Sequence, residues 1–80
     1  MNTELHEQIT TIPAPAPLAR AVANELENRV FKLPVVEPEY ACMEYGERGV
    51  LIIAGKADNQ TWAQFMVQIY QLMANTRPHE

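Results

Sequence analysis

The side chains of this sequence that could take part in covalent chemistry are one thiol and two imidazoles. Cys42 is the only cysteine, and His6 and His79 stand near opposite ends of the 80 residues. A cysteine nucleophile needs a nearby base or positive charge that lowers its pKa. The charged residues closest to Cys42 in the predicted strand are Glu39 and Glu44, which would raise that pKa instead. We therefore interpret Cys42 as a small buried apolar residue.

Carboxylates are concentrated in one short region, at Glu37, Glu39, Glu44 and Glu47. General acid–base catalysis by two carboxylates requires a pocket that separates their pKa values, and a short hairpin does not provide such a pocket. The sequence has no CxxC or HxxxH spacing of the kind that predicts a metal site. We therefore expect no enzymatic activity, no cofactor and no metal.

The most clearly patterned segment runs from Asp58 to Arg77. Asp58 is a residue type that caps a helix N-terminus, and Pro78 disfavours helical geometry in the residue before it. Large apolar side chains recur between them at steps of three and four residues, as on one face of a helix. They are Trp62, Phe65, Met66, Ile69, Leu72 and Met73.

A second apolar row follows the same predicted helix, at Ala63, Val67, Tyr70 and Ala74. Surface helices usually have a charged face, yet no charged residue occurs from position 59 to 76. One interpretation is a central helix wrapped by its own chain. The other, which we favour in so short a chain, is a helix that a partner covers. We assign the second row to a self-interface.

Residues 1–16 are predicted to be an N-terminal arm and a Pro-rich connector. Pro13, Pro15 and Pro17 alternate with other residues, which favours stiff, extended geometry. An amphipathic helix is then predicted from Pro17 to Phe31, because apolar residues recur every four positions. Residues 17–80 would form the single domain that this length allows.

Between the two helices, the pattern becomes that of strands. Residues 39–45 alternate, Gly46–Gly49 is predicted to be a four-residue hairpin connection, and Val50–Ala54 is an aliphatic run typical of a strand covered on both faces. The predicted fold class is α+β, a small helix–β-hairpin–helix domain behind the arm. Because a two-stranded sheet is unstable alone and has exposed edges, we expect dimerisation to complete it.

The balance of charge restricts the classes of partner. Six basic residues against ten acidic ones give a formal net charge of -4, which opposes binding to nucleic acids and anionic membranes. The first residues have neither the basic nor the apolar part of a secretory signal, and a lone thiol fits a reducing compartment. We therefore expect a cytoplasmic protein that binds neither nucleic acid directly nor membranes.

Acidic and aromatic side chains of the hairpin form the candidate partner-binding site. Aromatic residues are enriched at interfaces, and acidic ones steer a basic partner. The site consists of Glu37, Glu39, Tyr40, Glu44, Tyr45 and Glu47. The predicted function is that of a non-catalytic protein–protein interaction module, a small acidic accessory or inhibitor-type homodimer that binds another protein.

Two alternatives remain open at this point. One is a structural subunit of a larger complex. The other is a phage- or plasmid-type inhibitor of host nucleic-acid-handling machinery, since the chain resembles anti-CRISPR proteins in size and charge.

Overall fold

The computed structural model describes residues 4–77 of the chain. The elements are β1 (His6–Pro15), α1 (Ala16–Glu27), β2 (Val36–Tyr45), β3 (Arg48–Ala57) and α2 (Asn59–Asn75). The three strands form one antiparallel sheet in the order β1-β3-β2. The predicted α+β class is confirmed, as is the order helix, β-hairpin, helix within it.

The N-terminal segment differs from the prediction. The predicted arm and connector over residues 1–16 is wrong for residues 6–15, which form β1; the first three residues lie outside the described part of the chain. β1 pairs with β3 along its whole length, from His6 opposite Ala57 to Pro15 opposite Arg48. The sheet of one chain therefore has three strands rather than the two that were predicted.

Proline residues are tolerated in β1 because of where their nitrogen atoms point. The N–H of Ala16 donates to the carbonyl of Glu47 at 2.9 Å, in the same register as the strand pairs. Hydrogen-bonded pairs alternate along an antiparallel ladder, so the even-numbered residues of β1 bond to β3. Pro13 and Pro15 occupy the outward positions, where an edge strand can lack a donor.

Helix α1 ends earlier than predicted, at Glu27 rather than at Phe31. The side chain of Asn28 donates to the carbonyl of Asn24 at 3.0 Å and closes the last turn. Phe31 leaves the helix and packs edge-on against Phe65 of α2, with ring centroids 4.9 Å apart. This aromatic contact is long-range, so the repeat within the helix could not reveal it.

The hairpin connection is also shorter than the predicted four residues. Tyr45 pairs with Arg48, which leaves only Gly46 and Glu47 in the turn. Gly46 has a φ of 64°, as the first central residue of a type II′ turn requires. Gly49 belongs to β3 and packs beneath the start of α1, since a Cβ atom there would lie 3.0 Å from Ala16 Cα.

Both helices cover the same face of the sheet. α1 approaches it at Gly49, and Trp62 of α2 approaches it at Gly55, a residue of the same parity in β3. The indole N–H of Trp62 also donates to Thr10 Oγ1 at 2.9 Å, which ties α2 to β1. The core between the helices and this face consists of Ile12, Val22, Leu26, Leu51, Ile53, Ala57, Trp62, Phe65, Met66, Ile69 and Leu72.

The two glycines of β3 provide a test of this packing. We expect Gly49→Ala to lower the free energy of unfolding by about 1–3 kcal/mol, because the new methyl group meets the backbone of α1 at Ala16. Gly55→Ala is the matched control, since its methyl group meets side-chain atoms of Val35 and Trp62 and no backbone atom closer than 3.5 Å. Urea unfolding of both variants measures the difference, and an equal or larger loss for Gly55→Ala would contradict the close approach of α1.

Candidate interaction surfaces

The face of the sheet opposite the helices has no described element above it. Residues of β3 alternate between the two faces, so Leu51 and Ile53 are buried under the helices while Val50 and Ile52 are half-buried on the other side. The strand registers set the neighbours of these side chains on β1 and β2. The open sheet face, as we name it, consists of Ile9, Thr11, Pro13, Glu39, Ala41, Met43, Val50, Ile52 and Ala54.

The centre of the open sheet face is apolar and accessible. Ile9 is 71% exposed and Met43 47% exposed, and they flank the aliphatic residues of β3 from opposite strands. Contiguous apolar patches on a small soluble domain mark interaction sites. The sequence predicts that both faces of β3 are covered. The helices cover one face, and no element of residues 4–77 covers the other.

Charged residues lie at the two ends of the open sheet face. At one end Glu7 and Glu39 border a shallow groove that also contains Lys56, and Lys56 lies 3.9 Å from the carboxylate of Glu37. At the other end Arg48 stands beside Tyr45, and it forms no ion pair within the described chain. The surface therefore has an acidic end at Glu7 and Glu39, an apolar centre, and a second charged end where Arg48 lies beside Glu47.

The structure does not bring the six predicted partner-binding residues together. Tyr40 and Glu44 project toward the helices. The ring of Tyr40 lies 6.5 Å from that of Phe65, and burial, then the charge of Glu27, raises the pKa of its hydroxyl. Glu44 accepts hydrogen bonds from Arg20 of α1 at 2.6 and 3.1 Å, so it serves an intramolecular contact.

The other members of that set lie around the open sheet face. Glu39 is part of it, and Tyr45 adjoins its Arg48 end and is 60% exposed. Glu47 is in the hairpin turn. Glu37 lies in the irregular start of β2, with a left-handed φ of 52°.

The second apolar row of α2 is a separate exposed surface. Val67 and Tyr70 are 55% and 52% exposed, and Ala63 and Ala74 are exposed as well. None of the four contributes to the core between helices and sheet. The assignment of this row to a self-interface stays a prediction.

Cys42 lies on the helix side of β2 beneath α1. Burial is the main cause that raises the pKa of its thiol, and the carboxylate of Glu44 raises it further, against a smaller lowering by Arg20. The thiol is therefore kept in the protonated form, which is a poor nucleophile.

Sequence reasoning missed the contribution of β1 to the open sheet face. Ile9 and Pro13 belong to this face only because β1 pairs with β3. The signal that could have revealed the strand is the run of four β-branched residues from Ile9 to Ile12, which favours strand over polyproline geometry. The alternating prolines that follow obscured it.

No group of three or more His, Cys, Asp or Glu side chains in residues 4–77 could hold a metal ion; His79 lies outside that range. No helix among these residues is long and apolar enough to cross a membrane. Comparisons with protein-family models, curated proteins and solved structures find no match for this chain.

The contact between Arg20 and Glu44 should make the stability of the protein depend on pH. Hydrogen bonds from Arg20 hold the pKa of Glu44 below its usual value. The contribution of this pair to stability is present above the ordinary glutamate pKa and is lost as the pH falls through the lowered one. In a carbon NMR titration, we expect the midpoint of Glu44 to rise in Arg20→Gln. Arg29→Gln, which removes the partner of Glu25, is the control, and an unchanged Glu44 midpoint in Arg20→Gln would contradict the contact.

Proposed function

We propose that this protein is a non-catalytic protein–protein interaction module of the small acidic accessory or inhibitor type. Its docking surface for another protein is the open sheet face. The observation that carries the proposal is that β3 is apolar on both faces, while the helices of the chain cover only one. Complete burial of an exposed aliphatic side chain stabilises by roughly 1.5–3 kcal/mol. Ile52 is already half-buried, so contact with a partner would add part of that amount.

The distribution of charge supports a partner of a particular kind. Glu7 and Glu39 lie at the acidic end of the surface, and the whole chain has a formal net charge of -4. A partner with an apolar patch and basic residues near its rim would complement both features. This proposal narrows the predicted hairpin site to Glu39, Tyr45 and their neighbours on the open sheet face, because Tyr40 and Glu44 pack toward the helices.

A matched pair of substitutions tests the docking surface. The partner is first recovered with the wild-type protein, identified by mass spectrometry and purified. We then expect Ile52→Lys to weaken its binding at least about tenfold, which is about 1.4 kcal/mol, because a charge would enter the apolar centre. Val67→Lys places the same charge on the exposed row of α2 and should leave the affinity within about twofold.

Titration calorimetry measures the affinity of each variant, and circular dichroism checks that each variant is folded. Loss of binding in Val67→Lys, with binding retained in Ile52→Lys, would move the docking surface to α2 and overturn the proposal.

The acidic end of the open sheet face should increase the rate at which the protein associates with a basic partner. Charges at the rim of an interface act mainly on the rate of association and its dependence on salt. We expect the double variant Glu7→Lys, Glu39→Lys to associate more slowly with the purified partner at low salt. The control Glu25→Lys, Glu27→Lys changes the net charge equally on α1, and stopped-flow mixing at two salt concentrations compares them. Equal slowing in both variants would indicate a general charge effect and contradict a specific acidic end.

A further inference from the structure

The outer edge of β1 carries backbone hydrogen-bonding groups that β3 does not use. The even-numbered residues of β1 bond to β3, so the odd-numbered ones direct their N–H and C=O groups away from the sheet. Glu7, Ile9 and Thr11 present a donor and an acceptor each, and Pro13 presents an acceptor alone. Within residues 4–77, no backbone hydrogen bond outside the sheet engages these groups, and all four residues are exposed.

The opposite edge of the sheet is protected where β2 begins. The β2–β3 register shifts between Val36 and Glu39, Glu37 has a left-handed φ of 52°, and Pro38 lacks an N–H group. Bulges, prolines and charged side chains are the features with which natural sheets prevent edge pairing. β1 has no bulge from His6 to Pro15 and has prolines only at its end. The regular part of β2, from Glu39 to Tyr45, contains two carboxylates, whereas the part of β1 before its prolines contains only that of Glu7. β1 is therefore the edge better suited to adding a strand.

We propose that β1 pairs with β1 of a second copy of this chain, antiparallel and about a two-fold axis at Ile9. In this register Ile9 faces Ile9 of the second copy, and Glu7 faces Thr11. Each outward N–H group of Glu7, Ile9 and Thr11 then meets a carbonyl group, and no proline ring enters the paired stretch. The result is one continuous six-stranded sheet across the dimer, with an isologous interface that closes on itself.

The side chains agree with the same register. Ile9 is the most exposed large hydrophobic residue of the sheet, at 71%. Facing its own copy, it forms a cross-strand pair of β-branched residues on the open sheet face, which is a favourable pair. Glu7 faces an uncharged threonine, whereas a shift of the axis to Glu7 would place two carboxylates opposite each other. Like charges in that position destabilise a sheet.

This interface differs from the predicted self-interface at Ala63, Val67, Tyr70 and Ala74 of α2. It also leaves the open sheet face uncovered, so it does not depend on the docking proposal. Instead, the dimer would present two copies of that face side by side in one sheet.

The test is the mass of the protein in solution, from light scattering coupled to gel filtration. We expect wild type to have twice the monomer mass of 9.1 kDa, and Ile9→Pro to be a monomer. The nitrogen of Ile9 points outward, so proline removes an edge donor and keeps the ladder to β3, as Pro13 and Pro15 already do. Ile9→Val retains the donor and should remain a dimer, as should Tyr70→Lys on α2.

Amide hydrogen exchange of the wild-type protein gives a second measurement that needs no variant. We expect the amides of Glu7, Ile9 and Thr11 to become more protected as the concentration rises, while those of Gln8 and Thr10 stay protected throughout. A wild-type monomer at millimolar concentration would overturn the proposal. So would a dimer that survives Ile9→Pro and dissociates in Tyr70→Lys, or exchange at Ile9 that is independent of concentration.

Discussion

Strand β3 is the constraint on which the rest of the structure depends. It is the central strand, so both of its edges are used in hydrogen bonding, to β1 on one side and to β2 on the other. Its central residues, Val50–Ala54, are apolar on both faces, and Leu51 and Ile53 on the helix side are completely buried. β3 requires neighbours at both of its edges and on both of its faces. Within residues 4–77, β1 and β2 occupy the edges and the helices cover one face.

Covering one face of β3 accounts for the order of the remaining elements. β1 runs directly into α1, which lies over the sheet near Gly49, and residues 28–35 then connect α1 to β2 on the far edge. α2 follows β3 after a single residue, Asp58, whose carboxylate caps the helix by accepting the N–H of Thr61 at 2.8 Å. Both helices lie on the same side of the sheet, at Gly49 and Gly55, and no element of residues 4–77 covers the opposite face.

The polar groups that might have suggested chemistry serve this architecture. Burial and a neighbouring carboxylate keep Cys42 protonated, and Glu44 is held by Arg20 across the contact between β2 and α1. Trp62 uses its indole N–H to join α2 to Thr10. The apolar open sheet face and the outward backbone groups of β1 are features of interfaces rather than of catalytic pockets.

The sequence by itself determined the elements whose signals are local. The cap at Asp58 and the apolar repeat from Trp62 to Leu72 predict α2, and the alternation followed by an aliphatic run predicts the hairpin, because these patterns need only the residues within each element. For residues 6–15 the local pattern favours extended geometry, and the tertiary structure decided that this segment pairs with β3 as a strand of the sheet. Alternating prolines favour extended geometry without specifying a partner, and the extended segment becomes β1 only when its even-numbered N–H groups bond to β3. The same pairing decides which side chains share the open sheet face. Three strands contribute to that face, so the pattern within one strand cannot reveal it.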